Sequence, residues 1–163
     1  MARNVFYSFH YHNDINRVMV VRNRWVTQGS QTVSGVIDSA DFEKVQKKGD
    51  KAVEDWIDKQ LKGTSVTVVL IGAETLNRPY VHYEICESLK KGNAIIGVYI
   101  NKIKDMKTGK TSSACPRHTV IGYYKDDKPA YFDDVTDAIY DYVDDDGYNN
   151  LGDWVEEAVS KQS

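Results

Sequence analysis

The chain has 163 residues, of which 41% are apolar and 28% are charged, and its formal net charge at pH 7 is -3. A chain of this length can bury one sizeable core, so residues 1–163 are expected to form a single domain. Acidic residues are concentrated after Lys125. The sequence carries no basic patch of the kind that nucleic-acid binding requires, so nucleic acid is not expected as a partner.

The sequence predicts neither a membrane-spanning segment nor a site built from cysteines. No apolar run approaches the roughly 18 residues of a membrane span. The first residues lead directly into a predicted strand, which favours a cytoplasmic protein with no membrane partner. Cys86 lies in a predicted helix and Cys115 in a predicted loop, and both are expected to be free thiols, because two such residues make neither a disulfide framework nor a metal cluster.

Apolar segments alternate with segments of helical spacing, as in βαβ units that build a parallel sheet. Five apolar segments are predicted strands: Val5–Phe9, Val33–Ile37, Ser65–Ile71, Ala94–Ile100 and Ala138–Val143, the last of which also fits one helical turn. The predicted helices between and after them are Ile15–Thr27, Lys51–Leu61, Arg78–Lys91 and the segment after Gly147. The sequence therefore predicts an α/β fold, a three-layer α/β/α sandwich with a mainly parallel, five-stranded sheet of flavodoxin-like topology.

Several residues mark the expected ends of these elements. Asn13 or Asp14 is expected to cap the first helix, and Gly92 is well placed to end the third. From Asn101 to His118 the chain is polar and has no sustained periodicity, which predicts a long surface loop. Thr119–Tyr124 beyond it looks extended.

The strand order determines where a ligand would bind. In the common doubly wound order 2-1-3-4-5, the first and third strands are neighbours and their carboxyl ends share one crevice. Ser8, Phe9 and His10 would then face the loop 72–75, with Glu84 about one turn into the next helix. One carboxylate, several hydroxyls and aromatic faces suit a ligand with a sugar and a flat ring. On spacing alone, an exposed surface position is the simpler interpretation of Glu84.

Other motifs give no site. His10 and His12 could be read as a metal-binding pair, but no third metal ligand lies near them in the sequence, so no metal is expected. The glycines are scattered and form neither a dinucleotide fingerprint nor a phosphate-binding loop. Cys86 and His82 have helical spacing, but a cysteine at that position is more often a packing residue than a nucleophile.

Four segments at the predicted strand ends and at one helix start carry a family pattern: Phe6-Tyr7-Ser8-Phe9-His10, Asp38, Val69-Leu70-Ile71-Gly72 and Arg78-Pro79-Tyr80-Val81-His82-Tyr83-Glu84. These segments resemble the boxes of a TIR-like domain. More narrowly, the chain resembles the TIR-like sensors of bacterial Thoeris antiphage systems over most of its length. The segment Asn101–Tyr131 matches least well.

The resemblance implies roles for single residues. In TIR enzymes a tryptophan-cysteine-x-x-glutamate run opens the helix after the third strand, and its glutamate is catalytic. Here Tyr80 and Val81 stand in place of the tryptophan and the cysteine, and the catalytic role carries onto Glu84. The residues expected to bind substrate are Phe6, Ser8, Phe9, His10, Asp38, Thr75, Arg78 and Tyr80.

The function implied by the resemblance is cleavage of NAD and closure of its ADP-ribose part into a cyclic ADP-ribose isomer. NAD would be a substrate, so no cofactor is expected. The product would activate a partner effector protein, and a phage component would act as the trigger. Assembly of several copies into a homo-oligomer is compatible with this role.

Two other classes of function fit the same residues. A non-catalytic TIR-like module would use the fold as an assembly surface and leave Glu84 solvated. A flavodoxin-like or receiver domain would bind a nucleotide or accept a phosphoryl group, because a doubly wound sheet serves many functions. Only Asp38 suits the phosphorylated aspartate of a receiver. Incubation with NAD separates the enzyme from both alternatives.

Overall fold

The computed structural model describes residues 3–27, 31–34 and 44–162. The strands are Arg3–Ser8 (β1), Gln31–Ser34 (β2), Val66–Ile71 (β3), Ala94–Tyr99 (β4), Val120–Tyr123 (β5), Pro129–Tyr131 (β6) and Ala138–Asp141 (β7). The helices are Tyr11–Thr27 (α1), Asp50–Leu61 (α2), Pro79–Lys91 (α3), Phe132–Val135 (α4) and Gly147–Gln162 (α5). A helical turn over 44–47 precedes α2, and a 3-10 helix covers Thr75–Asn77.

Five of these strands form one parallel sheet in the order β2-β1-β3-β4-β7. The register places Tyr7 of β1 beside Val68 of β3, and Val68 beside Ile96 of β4. The fold class and the order 2-1-3-4-5 predicted from the sequence are therefore confirmed. The remaining two strands, β5 and β6, pair with each other as a separate antiparallel sheet.

The sheet is covered on both faces. Every residue of β3 and β4 is buried, as expected for central parallel strands that read as continuous apolar runs. Tyr7 of β1 belongs to the core that includes α1 and α5, whereas Phe6 belongs to the core under α2. Because successive strand residues point to opposite faces, β1 supplies both layers of the core.

The first helix begins earlier than predicted. It starts at Tyr11 rather than Ile15, and the Asp14 amide already donates to the His10 carbonyl at 3.0 Å. The prediction that Asn13 or Asp14 caps this helix is therefore wrong, because both residues lie within its first turn. The physical reason is tertiary: Asp14 is only 2% exposed and its carboxylate accepts a hydrogen bond from Thr75.

Other boundaries agree closely with the predictions. Gly92 ends α3 with φ of 89°, a left-handed conformation that glycine adopts without a steric cost. The second predicted strand, Val33–Ile37, is described only as far as Ser34, and Asp38 lies outside the described residues. The last predicted strand is present as β7.

The long loop after β4 is attached to α1 by one buried arginine. Arg17 is 6% exposed, and its guanidinium donates to the carbonyls of Ile103 at 2.8 Å and Lys110 at 2.9 Å. Asn16, one residue earlier, contacts the Asp105 carboxylate. These contacts fix the path of the loop at the carboxyl end of the parallel strands.

Candidate active site

A cavity of about 190 Å³ lies beyond the carboxyl end of β1, between that strand, α2 and the start of α3. Its lining residues are Tyr7, Phe9, His10, Tyr11, His12, Gln46, Val53, Trp56, Ile57, Arg78, Pro79, Tyr80, Val81 and Glu84. In open α/β sheets this is the position at which ligands bind. Pockets for whole drug-sized ligands hold roughly 300–1,000 Å³, so this cavity suits one part of a larger ligand.

Glu84 supplies the carboxyl group of the cavity. Val81, Glu84, Ile85 and Ser88 are the buried residues of α3, and their helical spacing turns Glu84 toward the sheet. The side chain is 8% exposed, and no ion pair with it is found among the described residues. Burial raises the pKa of Glu84 well above its ordinary value of 4.5. In the free protein this carboxyl group therefore retains its proton above that value.

Ser8 lies beside Glu84 at the end of β1. Burial, the larger effect, raises the pKa of Glu84, whereas a hydrogen-bonding interaction with the Ser8 hydroxyl lowers it. Ser8 is fully buried, and its Oγ makes no hydrogen bond of standard geometry within the described part of the chain, so this interaction is a loose one. The hydroxyl is thus placed to donate to the Glu84 carboxylate when that group ionises.

Aromatic side chains form the walls. Phe9 follows β1 directly, and its ring lies 6.1 Å from that of Tyr11. Tyr80 stands in the first turn of α3 and donates from its hydroxyl to the Asp50 carboxylate at 2.7 Å, which ties α3 to α2. Trp56 of α2 completes the wall. Sequence reasoning missed Trp56 as a cavity residue, because its helical spacing with Val53 predicts only that it belongs to the buried stripe of this helix.

Polar groups gather at the cavity mouth. Asn13 donates to the Glu74 carboxylate at 2.6 Å, and Arg78 Nη2 lies 3.3 Å from the same oxygen. These contacts lower the pKa of Glu74, the Asn13 bond most strongly. Burial and then the neighbouring Arg78 charge lower the pKa of His10 below its ordinary 6.5, so its ring is neutral at pH 7.

The loop after β3 is held from beneath by Asp14. The Gly72 amide donates to Thr75 Oγ1 at 2.8 Å, and Thr75 Oγ1 donates to Asp14 Oδ2 at 3.2 Å. Burial raises the pKa of Asp14 from 3.8 to about 6. A Cβ added to Gly72 would overlap the Asp14 carboxylate. These contacts position the loop and do not reach the cavity.

The structure brings most of the predicted site residues together. Five of them line the cavity: Phe9, His10, Arg78, Tyr80 and Glu84. Ser8 adjoins it through Glu84. Phe6 and Thr75 do not line it: Phe6 is fully buried in the core under α2, and Thr75 holds the loop. Asp38 lies outside the described residues. The role of each residue in binding or catalysis stays a prediction.

Neither a metal site nor a membrane-spanning helix is found within the residues that the structure describes. No group of three or more histidine, cysteine, aspartate or glutamate side chains is arranged to hold a metal ion. No helix in the described ranges is both long enough and apolar enough to cross a bilayer.

Comparison with known proteins identifies the family. Residues 6–105 match the family model described as "Thoeris protein ThsB, TIR-like domain", which covers more than half of the chain and includes Glu84. A curated relative from Bacillus cereus (strain MSX-D12), named "Putative cyclic ADP-D-ribose synthase ThsB1", is 38% identical over an alignment of 192 positions. That alignment covers 95% of this chain and 100% of the relative. The chain therefore belongs to the family of Thoeris ThsB proteins with a TIR-like domain.

Proposed function

We propose that this protein cleaves the nicotinamide–ribose bond of NAD and closes the ADP-ribose part into a cyclic ADP-ribose isomer. The observation that carries the proposal is the buried Glu84 carboxyl group, which lines a cavity with aromatic walls at the carboxyl end of β1. The name of the Bacillus cereus relative supports the class of product. NAD is the substrate in this reaction, and no further cofactor is required.

The first step breaks the bond between ribose C1′ and the pyridinium nitrogen. The bonding electron pair stays on that nitrogen, so nicotinamide leaves as a neutral molecule and no general acid is needed. Positive charge develops at C1′ and the ring oxygen, and a nearby carboxylate stabilises it. Glu84 supplies that charge. Because the free carboxyl group retains its proton, the cationic substrate must favour the ionised form when it enters.

The second step forms a bond from C1′ to another atom of the same molecule. A ribose hydroxyl or an adenine nitrogen attacks, and an attacking hydroxyl passes its proton to the ionised Glu84 carboxylate as the bond forms. Water must be kept from C1′ during this step, since it would give open ADP-ribose. Phe9, Tyr80 and Trp56 provide apolar faces that exclude water and hold the flat rings.

In the cell, the cyclic product would act on an effector protein, and a phage component would switch synthesis on. Membership of a Thoeris family supports this setting. Because the signal is a small diffusible molecule, the effector need not contact this chain.

The test is product analysis by mass spectrometry after incubation with NAD, with and without lysate from phage-infected cells. Glu84→Gln removes the charge and keeps the shape, and is expected to lower turnover by on the order of 100-fold or more. Glu87→Gln is the matched control, because Glu87 lies on the same helix, away from the cavity, and pairs with Lys90 at 3.1 Å. Full turnover by the Glu84→Gln variant would remove Glu84 from catalysis. Absence of any product from the wild type, with and without lysate, would favour the non-catalytic interaction module.

A further inference from the structure

Buried polar atoms without a partner cluster around the cavity. By standard geometry, four such atoms are found among the described residues: Ser8 Oγ, His10 Nδ1 and Arg78 Nε at or beside the cavity, and Tyr142 Oη, which does not line it. Folded proteins satisfy the great majority of buried polar groups, so each exception needs an explanation. Ser8 lies at the inner end, beside Glu84. His10 and Arg78 both line the cavity and lie near its mouth, where an unmade hydrogen bond can be supplied by a ligand.

The two ends of the cavity differ in the charge that they favour in a ligand. Glu84, at the inner end, is the one acidic side chain among the described lining residues and can ionise beside a bound cation, whereas Arg78 is their permanent cation. Arg78 is also the residue before α3, a helix of 13 residues whose first turn has no side-chain cap. The amides of that turn carry partial positive charge. A ligand with a cationic ring and an anionic group would therefore bind with the ring inside and the anion at the mouth.

The present partner of Arg78 leaves most of its donors available. Nη2 pairs with Glu74 at 3.3 Å, and the two side chains are 43% and 53% exposed. Exposed ion pairs contribute little stability because water screens them. Nε is buried and makes no hydrogen bond within the described residues. A phosphate oxygen can bind an arginine through two parallel N–H donors, which is a stronger arrangement than one long contact to a carboxylate.

We propose that Arg78 and His10 form a subsite for a diphosphate group at the cavity mouth, with Arg78 as the residue that discriminates dinucleotides from uncharged nucleosides. The identity of the dinucleotide as NAD rests on the proposed function, whereas the preference for a diphosphate does not. Glu74 competes with the ligand for Arg78. The neutral His10 ring contributes a polar contact rather than a second charge.

The test is calorimetric binding of ADP-ribose and of adenosine to the whole protein, which needs no turnover. Arg78→Gln is expected to weaken ADP-ribose binding by roughly 10- to 100-fold, as for a lost hydrogen bond to a charged group. Arg78→Lys keeps the charge but loses Nε, so its affinity for ADP-ribose should lie between those of the wild type and of Arg78→Gln. Adenosine binding should not change in either variant.

Two further variants sharpen the result. Glu74→Gln removes the competing carboxylate and is expected to strengthen ADP-ribose binding by about two- to fivefold, the scale of an exposed ion pair. Arg22→Gln is the matched control on α1, because Arg22 does not line the cavity, and it should bind as the wild type does. Unchanged ADP-ribose binding by Arg78→Gln, or equal loss of adenosine binding, would overturn the proposal.

Turnover separates this proposal from the proposed function. With NAD and nicotinamide riboside as alternative substrates, Arg78→Gln should lower kcat/KM for NAD and leave that for the riboside, which has no phosphate, unchanged. If the wild type cleaves neither substrate in the presence of lysate from phage-infected cells, but binds ADP-ribose through Arg78, the diphosphate subsite stands and NAD cleavage is wrong. An equal fall for both substrates would remove Arg78 from phosphate recognition.

Discussion

Replacing Glu84 by glutamine should stabilise the protein, and by more as the pH rises. The unfolded chain ionises this carboxyl group near its ordinary pKa of 4.5, whereas burial raises the pKa in the folded protein well above that value. Above pH 4.5 the folded state therefore holds a proton that the unfolded state has lost, and stability falls with increasing pH. Glutamine carries no ionisable group and escapes this penalty.

The structure gives a ceiling for the effect at each pH. While the folded carboxyl stays protonated, each pH unit above 4.5 removes about 1.4 kcal/mol of unfolding free energy. The ceiling is thus about 2 kcal/mol at pH 6. For a domain of this size, roughly 2–4 °C of melting temperature corresponds to each kcal/mol, so Glu84→Gln should gain up to about 4–8 °C at pH 6. Below pH 4.5 the gain should vanish.

The assay is thermal melting followed by circular dichroism, for wild type and variant in parallel, at intervals from pH 4 to pH 7. The informative quantity is the difference between the two melting temperatures as a function of pH. Glu87→Gln controls for the loss of a carboxylate on the same helix, and should lower stability slightly through its lost ion pair. A difference for Glu84→Gln that does not grow with pH would refute the reasoning, because the folded carboxyl would then ionise normally.

Three more perturbations test the surroundings of the cavity. Phe9→Leu and Tyr80→Leu keep apolar bulk but lose the stacking face, so NAD turnover should fall several-fold while the melting temperature changes little; unchanged turnover would remove the stacking role. Asp14→Asn should abolish the loss of stability that the wild-type carboxyl causes between pH 3.8 and about 6, and parallel melting curves across that range would contradict it. Arg17→Met leaves the carbonyls of Ile103 and Lys110 without their donor, so limited proteolysis should cut the loop 101–118 faster; equal rates would show that other contacts hold it.

The sequence predicted the sheet well, for a physical reason. Central parallel strands such as β3 and β4 are buried on both faces, so they must be continuous apolar runs, and such runs are visible without any tertiary information. Gly92 was recognised for a similar local reason, since a left-handed helix end favours glycine. The strand order then followed from the common topology of such sheets.

The candidate site could be predicted only in part, because the surroundings of its residues are set by segments that are distant in the sequence. Asp14 reads as a helix cap, but its partner Thr75 lies 61 positions away. Trp56 reads as core, although it lines the cavity. The catalytic assignment of Glu84 came from the resemblance to TIR enzymes, since its burial depends on how α3 lies against the sheet. Spacing indicates which face a residue shares, and only tertiary packing shows what that face meets.

The close approach of Gly72 to Asp14 constrains how related sequences can diverge. Any side chain at position 72 overlaps the carboxylate at position 14, and shortening position 14 first removes the acceptor for the Thr75 hydroxyl. Neither single change is neutral, yet the two together restore the space. Positions 14 and 72 should therefore vary as a pair among relatives.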